Sequence, residues 1–69
     1  MSARRIVTQG GGNNLYKVSE YDNWYYVYEA GRGFFSTGTL DIGKTRSFKD
    51  ALDIIRAYTG KEIKEISEW

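Results

Sequence analysis

Residues 15–29, Leu-Tyr-Lys-Val-Ser-Glu-Tyr-Asp-Asn-Trp-Tyr-Tyr-Val-Tyr-Glu, decide the fold of this chain. Two runs rich in aromatic and β-branched residues, 15–21 and 24–29, lie on either side of Asp22-Asn23. Aromatic and β-branched side chains favour strands. Asp and Asn tolerate the left-handed backbone that a tight turn requires. The stretch therefore predicts a β-hairpin with its turn at Asp22-Asn23.

Two further strands are predicted on either side of this hairpin. Residues 4–9 contain three β-branched residues in a row and predict a first strand, which the glycine run 10–12 ends in a loop. Residues 34–42 predict a strand that follows the hairpin, in which Gly38 indicates a bulge or bend. Residues 43–46 are expected to link that strand to a helix.

The helix is predicted over residues 48–59. Ser47 is a suitable N-cap, and Asp50 follows three residues later, as in a capping box. Gly60 is a suitable C-terminal cap. Apolar residues at spacings of three and four form one stripe, which makes the helix amphipathic. That stripe consists of Phe48, Ala51, Leu52, Ile55 and Tyr58.

The last residues, 61–69, are ambiguous. Ile63, Ile66 and Trp69 recur every three residues, which favours a short helix or an irregular segment. A final strand is the alternative, and a regular strand would place Ile63 and Ile66 on opposite faces.

Together these elements predict a single α+β domain over residues 1–69. An antiparallel sheet of three to four strands is followed by one amphipathic helix, in the order βββα or ββββα, and the two pack as two layers. Hairpin-length connections argue against a parallel sheet, which needs long crossovers.

Composition excludes several functions. The chain has no cysteine and no histidine, so it lacks the usual metal ligands and the usual base that activates a serine or threonine. We therefore expect a protein that is not an enzyme and holds no metal or cofactor. The pattern Gly38-x-x-x-x-Gly43-Lys44-Thr45 matches a phosphate loop literally. However, the chain is too short for the parallel sheet and magnesium site that nucleotide hydrolysis needs.

Charge and hydropathy bear on location and partners. Lys and Arg number 10 and Asp and Glu number 9, so the net charge of +1 gives no long-range attraction to an anionic partner. No apolar run approaches the roughly 20 residues that cross a bilayer, and no apolar stretch follows the basic start as in a signal peptide. A cytoplasmic protein without membrane contact is expected.

One helix covers only one face of a small sheet, yet both faces of this hairpin carry aromatic residues. Strand alternation places Trp24, Tyr26 and Tyr28 on one face, with Lys17 on the neighbouring strand. Tyr25 and Val27 then lie on the opposite face, together with Tyr16 and Val18. Because valine suits an interior, we expect the face of Trp24 to be the uncovered one; the reverse assignment is the alternative.

Three interpretations of the uncovered face remain open. The rings simply cover the sheet, or they form a dimer or partner interface, or they stack bases while nearby cations bind phosphates. The densest basic cluster, formed by Lys44, Arg46 and Lys49, lies at the junction between strand 34–42 and the helix. Arg32 lies in a predicted turn. The candidate binding residues are Trp24, Tyr26, Tyr28, Lys17, Arg32, Lys44, Arg46 and Lys49.

A short motif adds a weak link to known families. The strands followed by Thr45-x-Ser47-Phe48-x-x-Ala51-Leu52 resemble the N-terminal half of HicB-type antitoxins, although the glycine-rich turn usual in that family is missing. This resemblance implies a protein partner. The order of strands and helix also resembles that of a class of single-stranded-DNA-binding proteins. Similarity of fold alone says little about function.

The sequence thus predicts a small, non-catalytic, regulatory binding module. Its leading function is binding of single-stranded nucleic acid through the aromatic sheet face. The alternative is a protein–protein interaction module, such as an antitoxin, an inhibitor of a host enzyme or an obligate homodimer.

Overall fold

The computed structural model describes residues 2–12, 14–30 and 40–69 and shows an α+β fold of two layers. Its elements are five strands and one helix in the order ββββαβ. They are β1 (Ser2–Thr8), β2 (Leu15–Tyr21), β3 (Trp24–Glu29), β4 (Leu40–Thr45), α1 (Phe48–Thr59) and β5 (Ile63–Glu68). The predicted fold class is confirmed, with one or two strands more than expected.

The strands form one antiparallel sheet in the order β4-β3-β2-β1-β5. The predicted hairpin is confirmed with its residue bounds: β2 and β3 pair from Tyr16 opposite Glu29 to Tyr21 opposite Trp24. Asp22 and Asn23 both have a positive φ, 53° and 66°. This is the backbone of a type I′ turn, whose twist matches that of the two strands.

The helix begins and ends where the sequence predicts. The Ser47 side chain accepts a hydrogen bond from the backbone N–H of Asp50, at 3.5 Å. At the other end, Gly60 adopts a left-handed conformation with φ of 73°, and its N–H donates to the carbonyl of Arg56 at 2.7 Å. Both caps satisfy backbone groups that a helix end leaves unpaired.

The core lies between α1 and one face of the sheet. Ala51 and Ile55 of the helix are fully buried against the sheet. The sheet contributes Ile6, Tyr16, Val18 and Val27 to this cluster. The helix therefore covers the face that valine alternation selected, and the reverse assignment is wrong.

Within residues 61–69, Ile63–Glu68 form a strand, and the preference for a helix or irregular segment is wrong. Strand β5 pairs with β1, and its register shifts by one residue between Val7 and Thr8. Ile66 lies opposite Ile6, while Ile63 lies opposite Thr8, so β5 has one extra residue between them. The shift places two isoleucines, three residues apart, on the same face, which a regular strand cannot do.

The strand before the helix extends further along the chain than predicted. Residues 43–45 belong to β4 and not to a link, whereas residues 34–39, with Gly38, lie outside the described residues. The β3–β4 register also shifts by one residue between Val27 and Tyr28. A Cβ on Gly43 would lie 3.3 Å from Cγ2 of Ile54, so glycine here permits close approach of the helix.

A polar group is enclosed at one end of the core. Glu29 is 7% exposed and accepts a hydrogen bond of 3.0 Å from the hydroxyl of Tyr58. The rings of Tyr16 and Tyr58 meet edge to face with centroids 6.3 Å apart. Burial, and then the nearby Glu29 carboxylate, raise the pKa of Tyr16 to about 12.

We expect alkaline pH to destabilise the protein through Tyr16. Its pKa is near 10 in the unfolded chain and about 12 in the folded one, so its contribution is complete below pH 10 and is lost between pH 10 and 12. The full loss amounts to about 3 kcal/mol. Urea unfolding across this range checks it: Tyr16→Phe should give a flatter decline than the wild type. Parallel declines would contradict the assignment.

The helix cap gives a second prediction. Gly60→Ala should lower the free energy of unfolding by about 1 kcal/mol, because alanine is strained at positive φ. A Cβ at Gly60 meets no atom within 4 Å, so packing adds nothing. Gly11→Ala is the matched control, since Gly11 also has open space around it and lacks a positive φ. Equal unfolding free energies for the two variants would argue against the cap.

Candidate functional site

The sheet face that points away from α1 is called the open face. Its middle is lined by the aromatic side chains of β3, and the pairing register brings side chains of the other strands beside them. The described residues on it are Ala3, Arg5, Val7, Leu15, Lys17, Ser19, Tyr21, Trp24, Tyr26, Tyr28, Asp41, Lys44, Glu65, Ser67 and Trp69. The four candidates Trp24, Tyr26, Tyr28 and Lys17 thus share one surface.

Trp24 lies close to two cations. The Nζ of Lys44 is 4.9 Å from the centroid of its ring, and the Cζ of Arg46 is 4.6 Å from it. At such distances the ring quadrupole attracts the cation. Within the described ranges, neither Lys44 nor Arg46 makes an ion pair. Three of the predicted residues therefore form one cluster of a ring and two available positive charges.

A second ring–cation pair lies at the other end of the open face. The Nζ of Lys17 is 5.3 Å from the ring centroid of Trp69, which is 53% exposed. The backbone N–H of Trp69 donates to the carbonyl of Ala3 at 3.3 Å and fixes the end of the chain beside β1. Trp69 was not predicted as a site residue, because residues 61–69 were expected to form a helix or an irregular segment outside the sheet.

Arg5 also belongs to this surface. It lies directly opposite Lys17 on β2 and opposite Ser67 on β5. Like charges directly across two strands destabilise a sheet, so an anion bound near both side chains would stabilise this pair. Its neighbour Arg4 lies on the other face, with its Cζ 5.1 Å from the ring centroid of Phe48.

The open face is more basic than the chain as a whole. Its cations are Arg5, Lys17 and Lys44, joined at the end of β4 by Arg46. Its described carboxylates are only Asp41 and Glu65. A chain with a net charge of +1 thus concentrates its positive charge where its tryptophans lie. The chain as a whole is nearly neutral, so any attraction of an anionic partner would come from the positive charges clustered on this face.

Tyr26 and Tyr28 occupy the middle of the open face and are half-buried. Burial, followed by the negative charge of Asp41 across the strand pair, raises the pKa of Tyr28. The hydroxyl therefore stays protonated at neutral pH. It remains a hydrogen-bond donor as well as part of an aromatic surface.

Two predicted residues do not join this cluster. Lys49 lies on α1, in the other layer, where its Nζ is 3.9 Å from a carboxylate oxygen of Asp53. Arg32 lies outside the described residues. A depression of about 680 Å³ near the β2–β3 turn is lined by Ser2, Glu20, Tyr21, Asp22 and Asn23. It carries two carboxylates and no cation, unlike the open face.

The described residues show neither a metal-binding cluster nor a membrane-spanning helix. Residues 2–12, 14–30 and 40–69 contain no cluster of three or more acidic side chains able to hold a metal ion. Within the same ranges, no helix has the length and apolar character needed to cross a membrane.

Comparison with known proteins gives no family assignment. No family model, no curated protein sequence and no solved structure significantly matches the chain. The resemblance to HicB-type antitoxins therefore has no further support, and any functional argument depends on the open face itself.

Proposed function

We propose that the protein is a non-catalytic, cytoplasmic binding module whose open face holds single-stranded nucleic acid. Unpaired bases stack on exposed aromatic rings, and phosphates bind nearby Lys and Arg side chains. The open face carries aromatic rings and cationic side chains next to each other. A duplex hides the flat faces of its bases, so an aromatic sheet surface suits a single strand.

The single observation that carries the proposal is the environment of Trp24. Its ring is accompanied by Lys44 and Arg46, at 4.9 and 4.6 Å, and neither cation has a carboxylate partner among the described residues. A stacked base brings its own phosphate close to the ring. Lys44 and Arg46 can move from the Trp24 ring to that phosphate without breaking an ion pair. The free energy lost on binding is therefore small.

Charge complementarity favours nucleic acid over a protein partner. A typical protein interface has few charged residues in its core. Here Lys17 and Arg5 lie side by side in the sheet without a described carboxylate partner. Covering them with an apolar partner surface would require desolvation of two like charges.

The test is the affinity for labelled 12-nucleotide dT and U oligomers, measured by fluorescence anisotropy at several salt concentrations. Trp24→Ala should weaken binding by about tenfold or more, because stacking contributes about 1–3 kcal/mol per base. The double variant Lys44→Gln/Arg46→Gln should lower the slope of log affinity against log salt by about 1.4. Using both oligomers separates a DNA ligand from an RNA ligand.

Lys49→Gln is the matched control, since it removes one charge of the same kind from the other layer and should leave affinity nearly unchanged. Trp24→Ala should also keep a cooperative unfolding transition, because Trp24 is outside the buried core cluster. Failure of the wild type to bind either oligomer, or binding with no salt dependence, would overturn the proposal and favour a protein partner.

A further inference from the structure

The two tryptophans of the chain lie at separate places on the open face. Trp24 begins β3, whereas Trp69 follows β5, and β2 and β1 lie between these strands. Three strand spacings and a shift of two residues along the strand separate the two positions by about 16 Å. One base cannot contact both rings. If both rings stack bases, the ligand must extend from one to the other.

The strands between the two rings carry small side chains in one row across the sheet. Tyr26 lies opposite Ser19, Ser19 lies opposite Ala3, and the N–H of Trp69 bonds to the carbonyl of Ala3. The Nζ of Lys17 lies 5.3 Å from the centroid of the Trp69 ring, so a cation borders the Trp69 end of this row. The row runs perpendicular to the strand axes.

The neighbouring row of side chains contains two cations. Lys17 and Arg5 occupy the adjacent row on β2 and β1, between Tyr28 and Ser67. A phosphate placed between them would relieve the repulsion of two like charges directly opposite each other. Lys44 and Arg46 provide equivalent groups beside Trp24.

We infer that the ligand is a continuous single strand that crosses the β-strands from Trp24 to Trp69, with one phosphate between Lys17 and Arg5. This inference rests on the function proposed above. At the 3.4 Å spacing of a stacked strand the distance corresponds to about five nucleotides. Mononucleotides and dinucleotides reach one ring only, so they bind weakly.

The experiment is a length series of dT oligomers from two to twelve nucleotides, titrated into the wild type and into Trp69→Ala. Wild-type affinity should rise steeply up to about five nucleotides and then level off. Trp69→Ala should bind the eight-nucleotide oligomer about tenfold more weakly, yet bind the dinucleotide as the wild type does. Arg5→Gln should reproduce this length-dependent loss, whereas Lys49→Gln, which removes a charge from the helix layer, should not.

The outcomes separate the two proposals. If the wild type binds no oligomer, the proposed function fails. If it binds but reaches full affinity with two nucleotides, or if Trp69→Ala matches the wild type at every length, the open face holds nucleic acid at Trp24 alone and the crossing path is wrong. Since Trp69 is 53% exposed and lies outside the core cluster, its replacement is not expected to impair folding.

Discussion

One 12-residue helix packed on a five-stranded sheet constrains everything else in this protein. The helix covers one face of β2, β3 and β4, and its buried residues Ala51 and Ile55 complete a small core. No described element packs on the opposite face. That face nevertheless carries both tryptophans. Tryptophan has a large apolar ring system, and such rings commonly bury their surface in a core or an interface.

The aromatic residues fall into two groups. Some pack in the core, and the others lie on the open face. Tyr16 is 2% exposed and packs against Tyr58, so its ring and hydroxyl belong to the fold. Trp24 and Trp69 contact cations and lie outside the core cluster. A chain of 69 residues buries little surface and has little stability to spare, so this separation allows the open face to change without loss of the fold.

The hairpin and the helix could be predicted to the residue, because local signals decide them: the turn at Asp22-Asn23 and the caps Ser47 and Gly60. The face of Trp24 followed from alternation. The fifth strand could not be predicted, because its one-residue register shift hides the alternation of Ile63 and Ile66. Trp69 and Arg5 were therefore not placed on the open face: their positions depend on pairing between strands distant in sequence.

The most direct test of the account is an NMR titration of the protein with an eight-nucleotide dT oligomer, observing side-chain signals from both faces of the sheet. The account predicts that the indole N–H signals of Trp24 and Trp69 shift while the methyl signals of Ala51 and Ile55 stay in place. Shifts confined to helix methyl groups, with unchanged indole signals, would show that the uncovered side of the sheet is not the binding surface.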